Sequence, residues 1–567
     1  MMEKNPIGKL VHDLDGSRIS RRTFIGRAIG LGLSIPTISS LLAGCGQPPI
    51  AESDPAPQAT ATTAAPEATA TTAASQATTT KVIFGAGGEP TTLDPHVPVT
   101  GIDDGFIRNI YDGLIDWAGK PGEYVPSLAT EWEVASDNVT WTFKLREGVK
   151  FHDGNDFDAE AVKFNIDRAL GNEIAWRWEP FVESAKVVDK YTIEIKSPKP
   201  HSGFLDYISW ATTVFHSAEA FEKYGDDLKR NPVGTGPFIF DEWKAGEYVR
   251  LKRNPDYWGG APAIEELEYR PISEYSSRVL ALESGDVDQI VNVGVADVAR
   301  LTAGQGLKVD TYPSIRNMYL MPNLSKDLIK KKEVRQALNY AVDRDALAKN
   351  VMAGLTTPSY SAFSTFNAGY KVPEPQYTYD PDKAKALLQA AGVPAGEKLV
   401  IMHTLGRYYG DREIAEALQS MFNAVGFDTE LWQLEWPTYA QYMWSTGPDD
   451  PNVQKRDLVL TDFGAQDPNF AMYADYYSQD KMLWAPKGGN AYFNDTPELD
   501  KMIDAAWATV ADEPRRQIFA DMQDYIAEEA LRVFIMEQSQ VFASKAGLMG
   551  FQALPNQQWN WKKCYWA

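Results

Sequence analysis

From residue 81 onward the sequence alternates short strand-like runs with amphipathic helices, and this alternation constrains the fold more than any other feature. The segment Asp380–Gly392 predicts a helix, because an Asp-Pro pair is a good start for a helix and Gly is a common stop. Thr496-Pro497 opens another helix in the same way. Residues 411–426 have apolar side chains at helical spacing and lead directly into the strand-like run 427–432. Helix and strand in repeated succession indicate a mixed α/β body whose sheets are covered by helices.

Composition narrows the class of protein. A chain of 567 residues is long enough for about three or four domain-sized units, or for two large lobes. It has 55 basic and 77 acidic side chains, and the net charge of −22 argues against nucleic acid as a partner. Two cysteines cannot build a disulfide scaffold, and the 6 histidines lack the spacing of a metal site, so no cofactor or metal is expected. No run of about 18 apolar residues occurs in the body, which excludes a bundle of membrane-spanning helices.

The first 80 residues differ in composition from the rest. Residues 1–45 carry an excess of basic side chains, and the pair Arg21-Arg22 precedes the mildly apolar run 28–42. This order of basic, apolar and small residues is typical of an export signal. The adjacent arginines followed by Phe resemble the twin-arginine signal, which addresses a protein for export in the folded state. The other interpretation is a permanent membrane anchor, although several glycines and Pro36 make this run a poor membrane helix.

Leu42-Ala43-Gly44-Cys45 resembles the bacterial lipobox, in which the signal is cut before the Cys and the new N-terminal Cys is acylated. Two or three acyl chains anchor a protein firmly, since each buried CH₂ contributes about 0.8 kcal/mol. The alternative is that Cys45 is an incidental thiol. Residues 46–80 are almost all Ala, Thr, Pro, Ser and Gln, which predicts a disordered spacer of roughly 35 Å r.m.s. length. Cys564 then has no partner and is expected to be structural.

Several segments of the body closely resemble one protein family, in the same order along the chain. The segments are Glu89–Pro95, Tyr111–Ile115, Pro126–Trp132, Trp141–Gly154, Asp158–Val162, Gly234–Phe238, Asn254–Trp258 and Val334–Arg344. Together they are similar to the extracytoplasmic solute-binding proteins of peptide-type ABC transporters, family 5 or the oligopeptide/dipeptide-binding class. Most of these residues also have a structural interpretation. Trp141–Leu145 alternates as a strand does, and Asp158 can cap the helix that follows.

The resemblance implies a two-lobed periplasmic-binding-protein fold of type II, the Venus-flytrap architecture, with an additional α/β domain. Lobe I would combine residues 81–124, 231–312 and 527–567, the additional domain would be 125–230, and lobe II would be 313–526. The implied function is capture of a peptide between the lobes by a monomer, whose closed form is recognised by the permease and ATPase of an ABC importer. The implied location is the extracytoplasmic face of the bacterial cell membrane, or the periplasm.

The resemblance also implies a set of ligand-binding residues. In chain order they are Glu89, Asn323, Trp436, Phe463, Gly464, Gln466 and Asp467. The last four belong to a loop that in the family begins with Trp and includes an Asp for the amino group of the peptide. Here Phe463 replaces the Trp, and Gln466 stands where the Asp is expected. Asp467 either takes over the amino group after a shift of one residue or is a turn residue before Pro468.

The class of ligand stays open at this point. A peptide can be bound without regard to its sequence through its backbone and through bridging water. Relatives in the family also carry oligosaccharides, opines or nickel complexes, and sugars stack on aromatic faces. The candidate aromatic side chains are Trp176, Trp178, Trp432, Trp436 and Trp444. A secreted hydrolase is the remote alternative, but the Gly-x-Ser-x-Gly and His-Glu-x-x-His motifs are absent, so no catalytic residue and no enzymatic activity are expected.

Overall fold

The structure is a computed structural model that describes residues 80–97, 105–172, 174–404, 407–443, 450–478 and 496–567, without the side chains of Trp176 and Pro437. The predicted signal with Arg21 and Arg22, the predicted lipidation site Cys45, residues 46–79 of the predicted spacer, and Trp444 lie outside the described residues. Within the described ranges, none of the helices is both long and apolar enough to cross a membrane.

The strands are β1 Lys81–Ala86, β2 Ile115–Trp117, β3 Tyr124–Pro126, β4 Ala129–Val134, β5 Thr140–Leu145, β6 Ser184–Asp189, β7 Thr192–Lys196, β8 Phe238–Lys244, β9 Tyr248–Arg253, β10 Glu266–Pro271, β11 Gln289–Val291, β12 Leu307–Pro322, β13 Thr357–Pro358, β14 Glu397–Thr404, β15 Phe427–Leu434, β16 Leu458–Phe463, β17 Val533–Lys545, β18 Leu548–Met549, β19 Gln552–Ala553, β20 Trp559–Asn560 and β21 Tyr565–Trp566.

The helices are α1 Ala159–Leu170, α2 Ala175–Trp178, α3 Phe204–Ile208, α4 Ala218–Tyr224, α5 Tyr275–Ser284, α6 Val295–Ala303, α7 Asp327–Lys330, α8 Lys332–Ala341, α9 Arg344–Ala346, α10 Pro381–Ala390, α11 Asp411–Val425, α12 Trp436–Met443, α13 Pro451–Gln454, α14 Pro468–Tyr476, α15 Pro497–Ala508 and α16 Asp512–Glu528, with a 3₁₀ segment at Gly225–Arg230 and a π segment at Leu347–Val351.

Two long strands join the halves of an 11-stranded sheet. Its order is β15-β14-β16-β12-β17-β11-β1-β10-β9-β8, with β13 paired to β17 outside this path. Strands β12 and β17 run antiparallel, and their pairing is interrupted between Pro313 and Asn317. On one side of this interruption β12 pairs with β16, and on the other side β17 pairs with β11. We call the half with β14, β15 and β16 lobe II and the half with β1 and β8–β11 lobe I.

A separate antiparallel sheet of order β4-β5-β7-β6 lies in the segment between β1 and β8, and we call it the additional domain together with α1–α4. Phe143 of β5 is fully buried, and Trp141 stacks on Phe204 with ring centres 4.9 Å apart, as the predicted alternation requires. The carboxylate of Asp158 accepts the backbone N–H groups of the first turn of α1, so the predicted cap is confirmed.

The helices predicted in lobe II are also confirmed. Helix α10 begins at Pro381, and Asp380 accepts the N–H of Lys383 as its cap. Helix α11 ends at Gly426, whose φ of 117° permits the chain to turn directly into β15. In lobe I, the side chain of Cys564 is fully buried in the hydrophobic core and makes no disulfide, which agrees with the structural role predicted for it.

Candidate functional site

Three neighbouring strands of lobe II end at the same edge of the sheet. Strands β15 and β16 both pair parallel with β14, so the chain leaves all three at one side, after Leu434, Thr404 and Phe463. In open α/β sheets, ligands bind outside the carboxyl ends of the strands. Because neighbouring strands are about 4.8 Å apart, the three loops that follow can contact one small molecule. This carboxyl edge of lobe II is therefore the candidate site.

Five of the predicted residues meet at this edge. Trp436 begins α12 just after β15, and the other four lie at the end of β16 or in the loop that follows it. They are Trp436, Phe463, Gly464, Gln466 and Asp467.

Gly464 lies against the strand that passes between the lobes. A Cβ atom built on it would be 2.1 Å from the carbonyl oxygen of Ile315 in β12. The N–H of Ile315 donates in turn to the carbonyl of Pro555 at 2.9 Å. Glycine fits this close approach of two backbones because it has no side chain. The loop after β16 is thereby held at the point where β12 changes lobes.

The side chain of Gln466 joins three parts of the chain. Its Nε2 donates to Ser209 Oγ at 2.7 Å and to Asp206 Oδ1 at 3.2 Å, both in or next to α3 of the additional domain. Its Oε1 accepts from Asn556 Nδ2 at 3.0 Å, in the C-terminal segment before β20. The residue is only 3% exposed. The loop after β16 is therefore covered by α3 and by the C-terminal segment.

Asp467 caps α14 with one carboxylate oxygen and leaves the other without a partner. Its Oδ1 accepts the N–H of Asn469 at 3.0 Å. Its Oδ2 accepts no hydrogen bond from the described residues, although the residue is only 3% exposed. A Cβ atom on Gly203, the residue before α3, would be 2.2 Å from this Oδ2. Asp467 therefore has the turn role, which was one of the two roles considered from the sequence, and it also offers a buried acceptor oxygen that faces the additional domain.

Asp206 of α3 lies across this contact from Asp467, and we call the two residues the carboxyl pair. Burial raises the pKa of Asp206, and the negative charge of Asp467 raises it further, against a hydrogen bond from Tyr124. Burial also raises the pKa of Asp467, against the positive charge of Arg515. Two buried carboxylates in one place disfavour their joint ionisation. The carboxyl pair is therefore suited to hold a positive charge.

Arg407, in the loop after β14, is a candidate site residue that the sequence reasoning missed. Its guanidinium carbon lies 4.8 Å from the ring centre of Trp436 and 5.3 Å from that of Tyr408. The hydroxyl of Tyr408 and Oγ1 of Thr461 in β16 are 3.0 Å apart, and this hydrogen bond fixes the loop against the neighbouring strand. No carboxylate in the described part of the chain forms an ion pair with Arg407. A half-buried guanidinium on an aromatic surface is suited to bind a carboxylate.

Glu89 stands in lobe I, three residues after β1. Its carboxylate accepts from Trp243 Nε1 at 2.6 Å and from the N–H of Gly246 at 3.1 Å, so it is directed at the turn between β8 and β9. The structure does not bring it to the carboxyl edge of lobe II.

Asn323 follows β12 directly. Because β12 is antiparallel to β16, this residue lies at the edge where β16 begins, about 20 Å of extended strand from Phe463. Its Nδ2 donates to the carbonyls of Val453 and Arg456, both at 2.9 Å, within lobe II. The side chain therefore holds a loop on the side of the sheet opposite the candidate site.

Of the aromatic residues considered for sugar stacking, Trp436 lies at the site. Trp178 is buried in the additional domain, and Trp432 is half-buried in β15 with Lys455 Nζ 4.0 Å from its ring centre. The side chain of Trp176 and all of Trp444 lie outside the described residues. Within the described ranges, no three His, Cys, Asp or Glu side chains are grouped so that they could hold a metal ion.

Comparison with known proteins gives a family match over most of the body. The model of the family described as bacterial extracellular solute-binding proteins, family 5 Middle, matches residues 123–482. The glutathione-binding protein GsiB of Salmonella paratyphi A is 28% identical to this chain over 482 residues, which are 84% of this chain and 92% of GsiB.

Solved structures show the same fold. The binding protein AgaA of A. tumefacien R10, in complex with agropinic acid, is 28% identical with a TM-score of 0.71, and the match covers 86% of this chain and 99% of AgaA. The periplasmic binding protein DppA of Helicobacter pylori, in complex with the peptide STSA, is 24% identical with a TM-score of 0.73, over 86% of this chain and 98% of DppA. The predicted two-lobed α/β fold is confirmed.

Proposed function

Because the chain belongs to the bacterial extracellular solute-binding proteins of family 5, we propose that it captures a short peptide between its lobes and delivers it to the permease of an ABC importer. Its relative GsiB is named for binding glutathione, which is itself a tripeptide. The role is that of a receptor. A ligand that binds the closed form better than the open form shifts the population of molecules toward the closed form.

The presence of opposite charges at the carboxyl edge of lobe II carries this proposal. The carboxyl pair offers a place for an ammonium group, and Arg407 on the loop of the neighbouring strand offers a place for a carboxylate. A free peptide has these two charges at its ends, about 7–11 Å apart for two or three residues. A neutral oligosaccharide has neither charge, so its binding would leave buried carboxyls and a guanidinium without partners.

The second candidate is a non-peptide organic acid, which would offer a carboxylate to Arg407. It is favoured by AgaA, which is as similar in sequence to this chain as GsiB and was solved with agropinic acid. Arg407 fits the carboxylate of either class, whereas the carboxyl pair fits the ammonium group of a peptide, and a direct binding comparison separates the two classes.

The proposed ligand-contacting set keeps five residues of the sequence prediction and adds two from the structure. It consists of Trp436, Phe463, Gly464, Gln466 and Asp467, with Asp206 and Arg407. Glu89 and Asn323 are left out, because their side chains are bonded elsewhere within their own lobes. The three domain ranges predicted from the sequence are retained as part of the proposal.

We also propose that the chain acts as a monomer on the extracytoplasmic face of the cell membrane. Export would follow the twin-arginine pair Arg21-Arg22, acylation of Cys45 would anchor the chain, and residues 46–80 would serve as its tether. No catalytic role is included in the proposal, since the family is one of solute-binding proteins.

The test is a thermal-shift comparison of the purified full chain with glutathione, dialanine, agropinic acid and maltotriose. A ligand at 100 times its Kd stabilises the native state by about 2.7 kcal/mol, which raises the unfolding midpoint measurably. We expect a rise with glutathione or dialanine. N-acetyl-dialanine and dialanine amide serve as matched controls, and each should raise the midpoint less because one end of the peptide has lost its charge. A rise with maltotriose and none with the peptides contradicts the proposal.

A further inference from the structure

The carboxyl pair lies inside a contact between the additional domain and lobe II. Beside it, Phe181 stacks on Tyr207 of α3 with ring centres 4.0 Å apart, and the same ring lies 6.1 Å from Phe470 of α14. Ser202 Oγ accepts from Asn469 Nδ2 at 3.1 Å across the same contact. Aromatic and polar packing on this side limits the water that can reach the two carboxyls. Separation of the lobes would return both carboxyls to solvent.

Four other charged or titratable groups face the carboxyl pair from the surrounding elements. Tyr124 of β3 donates to Asp206. Arg515 of α16 attracts both carboxyls, but it forms an ion pair with Asp512 of its own helix at 3.2 Å. The Arg515 guanidinium is not within ion-pair distance of either carboxyl in the described structure.

The other two groups precede α3. His201 Nδ1 accepts a hydrogen bond from the N–H of Gly203. Its buried Nε2 neither donates nor accepts a hydrogen bond among the described residues. Burial lowers the pKa of His201, and the charges of Lys199 and Arg515 lower it further, so this ring is neutral in the closed form. Two carboxylates therefore face one distant guanidinium, which leaves one negative charge to be compensated.

We propose that the carboxyl pair is a site for a single positive charge in the closed form, occupied by a proton on one of the two carboxyls or, in its place, by the ammonium group of the ligand. The unpartnered and buried Oδ2 of Asp467 is the acceptor that points to this occupant. Closure without ligand then takes one proton from solution, and binding of an ammonium group returns that proton to solution. The binding of a ligand's ammonium group, which we call the ammonium half of the proposal, rests on the proposed function. The uptake of a proton on closure, the proton half, does not.

The sign of the pH dependence follows from the raised pKa values. The closed form holds its proton at a pH where the open form, with a carboxyl pKa of about 4, has lost it. The closed-to-open ratio is therefore highest in acid and falls by up to tenfold per pH unit as the pH rises from about 4 toward the raised pKa. Protonation of His201 acts in the opposite sense below a pH of about 6.5, because it favours the open form.

The first experiment measures lobe closure in the full chain without ligand. Spin labels at Leu280→Cys in α5 and Asp382→Cys in α10 report the distance between the lobes. Cys45→Ser removes a further thiol that could be labelled, and the native Cys564 is fully buried. Leu280 and the Asp382 side chain are 64% and 94% exposed, so the labels lie on the surface. We expect the closed population to fall between pH 5 and pH 8.

Substitutions test whether the carboxyl pair, and not another titrating group, causes this pH dependence. Asp206→Asn should abolish this fall, whereas the fully exposed Asp327→Asn in lobe II should behave as the unsubstituted chain does. If Asp206→Asn does not fold, Asp467→Asn replaces it, because Asn caps a helix as well as Asp. A closed population that does not change with pH, or one that changes equally in the carboxyl variants, overturns the proposal.

The second experiment counts protons during binding. Calorimetric titration of glutathione at pH 6 in two buffers of different ionisation enthalpy should show release of up to one proton per ligand. Glutathione binding without proton release overturns the ammonium half of the proposal. If no peptide binds at all, the proposed function fails, and the ligand-free experiment still decides the proton half.

Discussion

Replacing Gly464 by alanine should destabilise the junction between the two lobes. The new Cβ would be 2.1 Å from the carbonyl oxygen of Ile315 and 2.8 Å from the Cα of Arg316, and ordinary contact begins at 3.4 Å. Both neighbours are backbone, so no side chain can rotate away, and β12 or the loop after β16 must move by more than 1 Å. Overpacking of this kind costs about 1–3 kcal/mol, which corresponds to a fall of about 1–3 °C in the unfolding midpoint, since the entropy of unfolding of a body this large is roughly 1 kcal/mol/K.

The assay is thermal unfolding of the full chain, followed by circular dichroism, with Gly547→Ala as the matched control. A Cβ atom on Gly547 would meet its nearest neighbour at 3.6 Å, so alanine fits there. Because Gly464 lies at the site, the same variant should also weaken the thermal shift with dialanine. The reasoning is refuted if Gly464→Ala and Gly547→Ala have equal midpoints.

Three further predictions concern the proposed site and the N-terminal segment. Arg407→Met should weaken dialanine binding at least tenfold, because a charged hydrogen bond to the peptide carboxylate is lost, and Arg407→Lys should restore part of it; equal affinities in calorimetry would contradict the role of this residue. Cys45→Ser should release the protein from the membrane fraction of expressing cells, and unchanged retention would exclude the lipid anchor. Arg21→Lys combined with Arg22→Lys should block export, as followed by cell fractionation, whereas normal export would indicate the general secretion route.

The sequence alone predicted those features that local chemistry decides. Asp158 and Asp380 cap the helices that their spacing indicates, because a cap needs only a carboxylate and the N–H groups two or three residues later. The direct passage from α11 into β15 was predictable for the same reason, since Gly426 permits the left-handed backbone there.

The charged parts of the site depend on the tertiary fold and could be predicted only in part. Asp467 was among the expected residues, but its partner Asp206 belongs to another domain, and no local pattern relates the two. Arg407 was missed because its signal is its position just after a parallel strand, and that strand's neighbours are known only from the sheet order. Asn323 was placed at the site because it follows a crossing strand, but the antiparallel pairing of β12 with β16 puts it at the opposite edge.

The central position of β17 also determines when the two halves of the sheet can join during synthesis. This strand, at residues 533–545, pairs with β11, β12 and β13, and Leu307 of β12 finds its partner only in Lys545. A nascent chain that ends before residue 533 therefore has the outer strands of both lobes and no completed centre. The strands of each lobe can pair among themselves early, as is usual for chains of this length, but the joining of the two lobes must wait for β17. The two halves become one sheet only when β17 has been synthesised and lies between β12 and β11, so a mutation that truncates the last tenth of the chain removes the strand that joins the lobes.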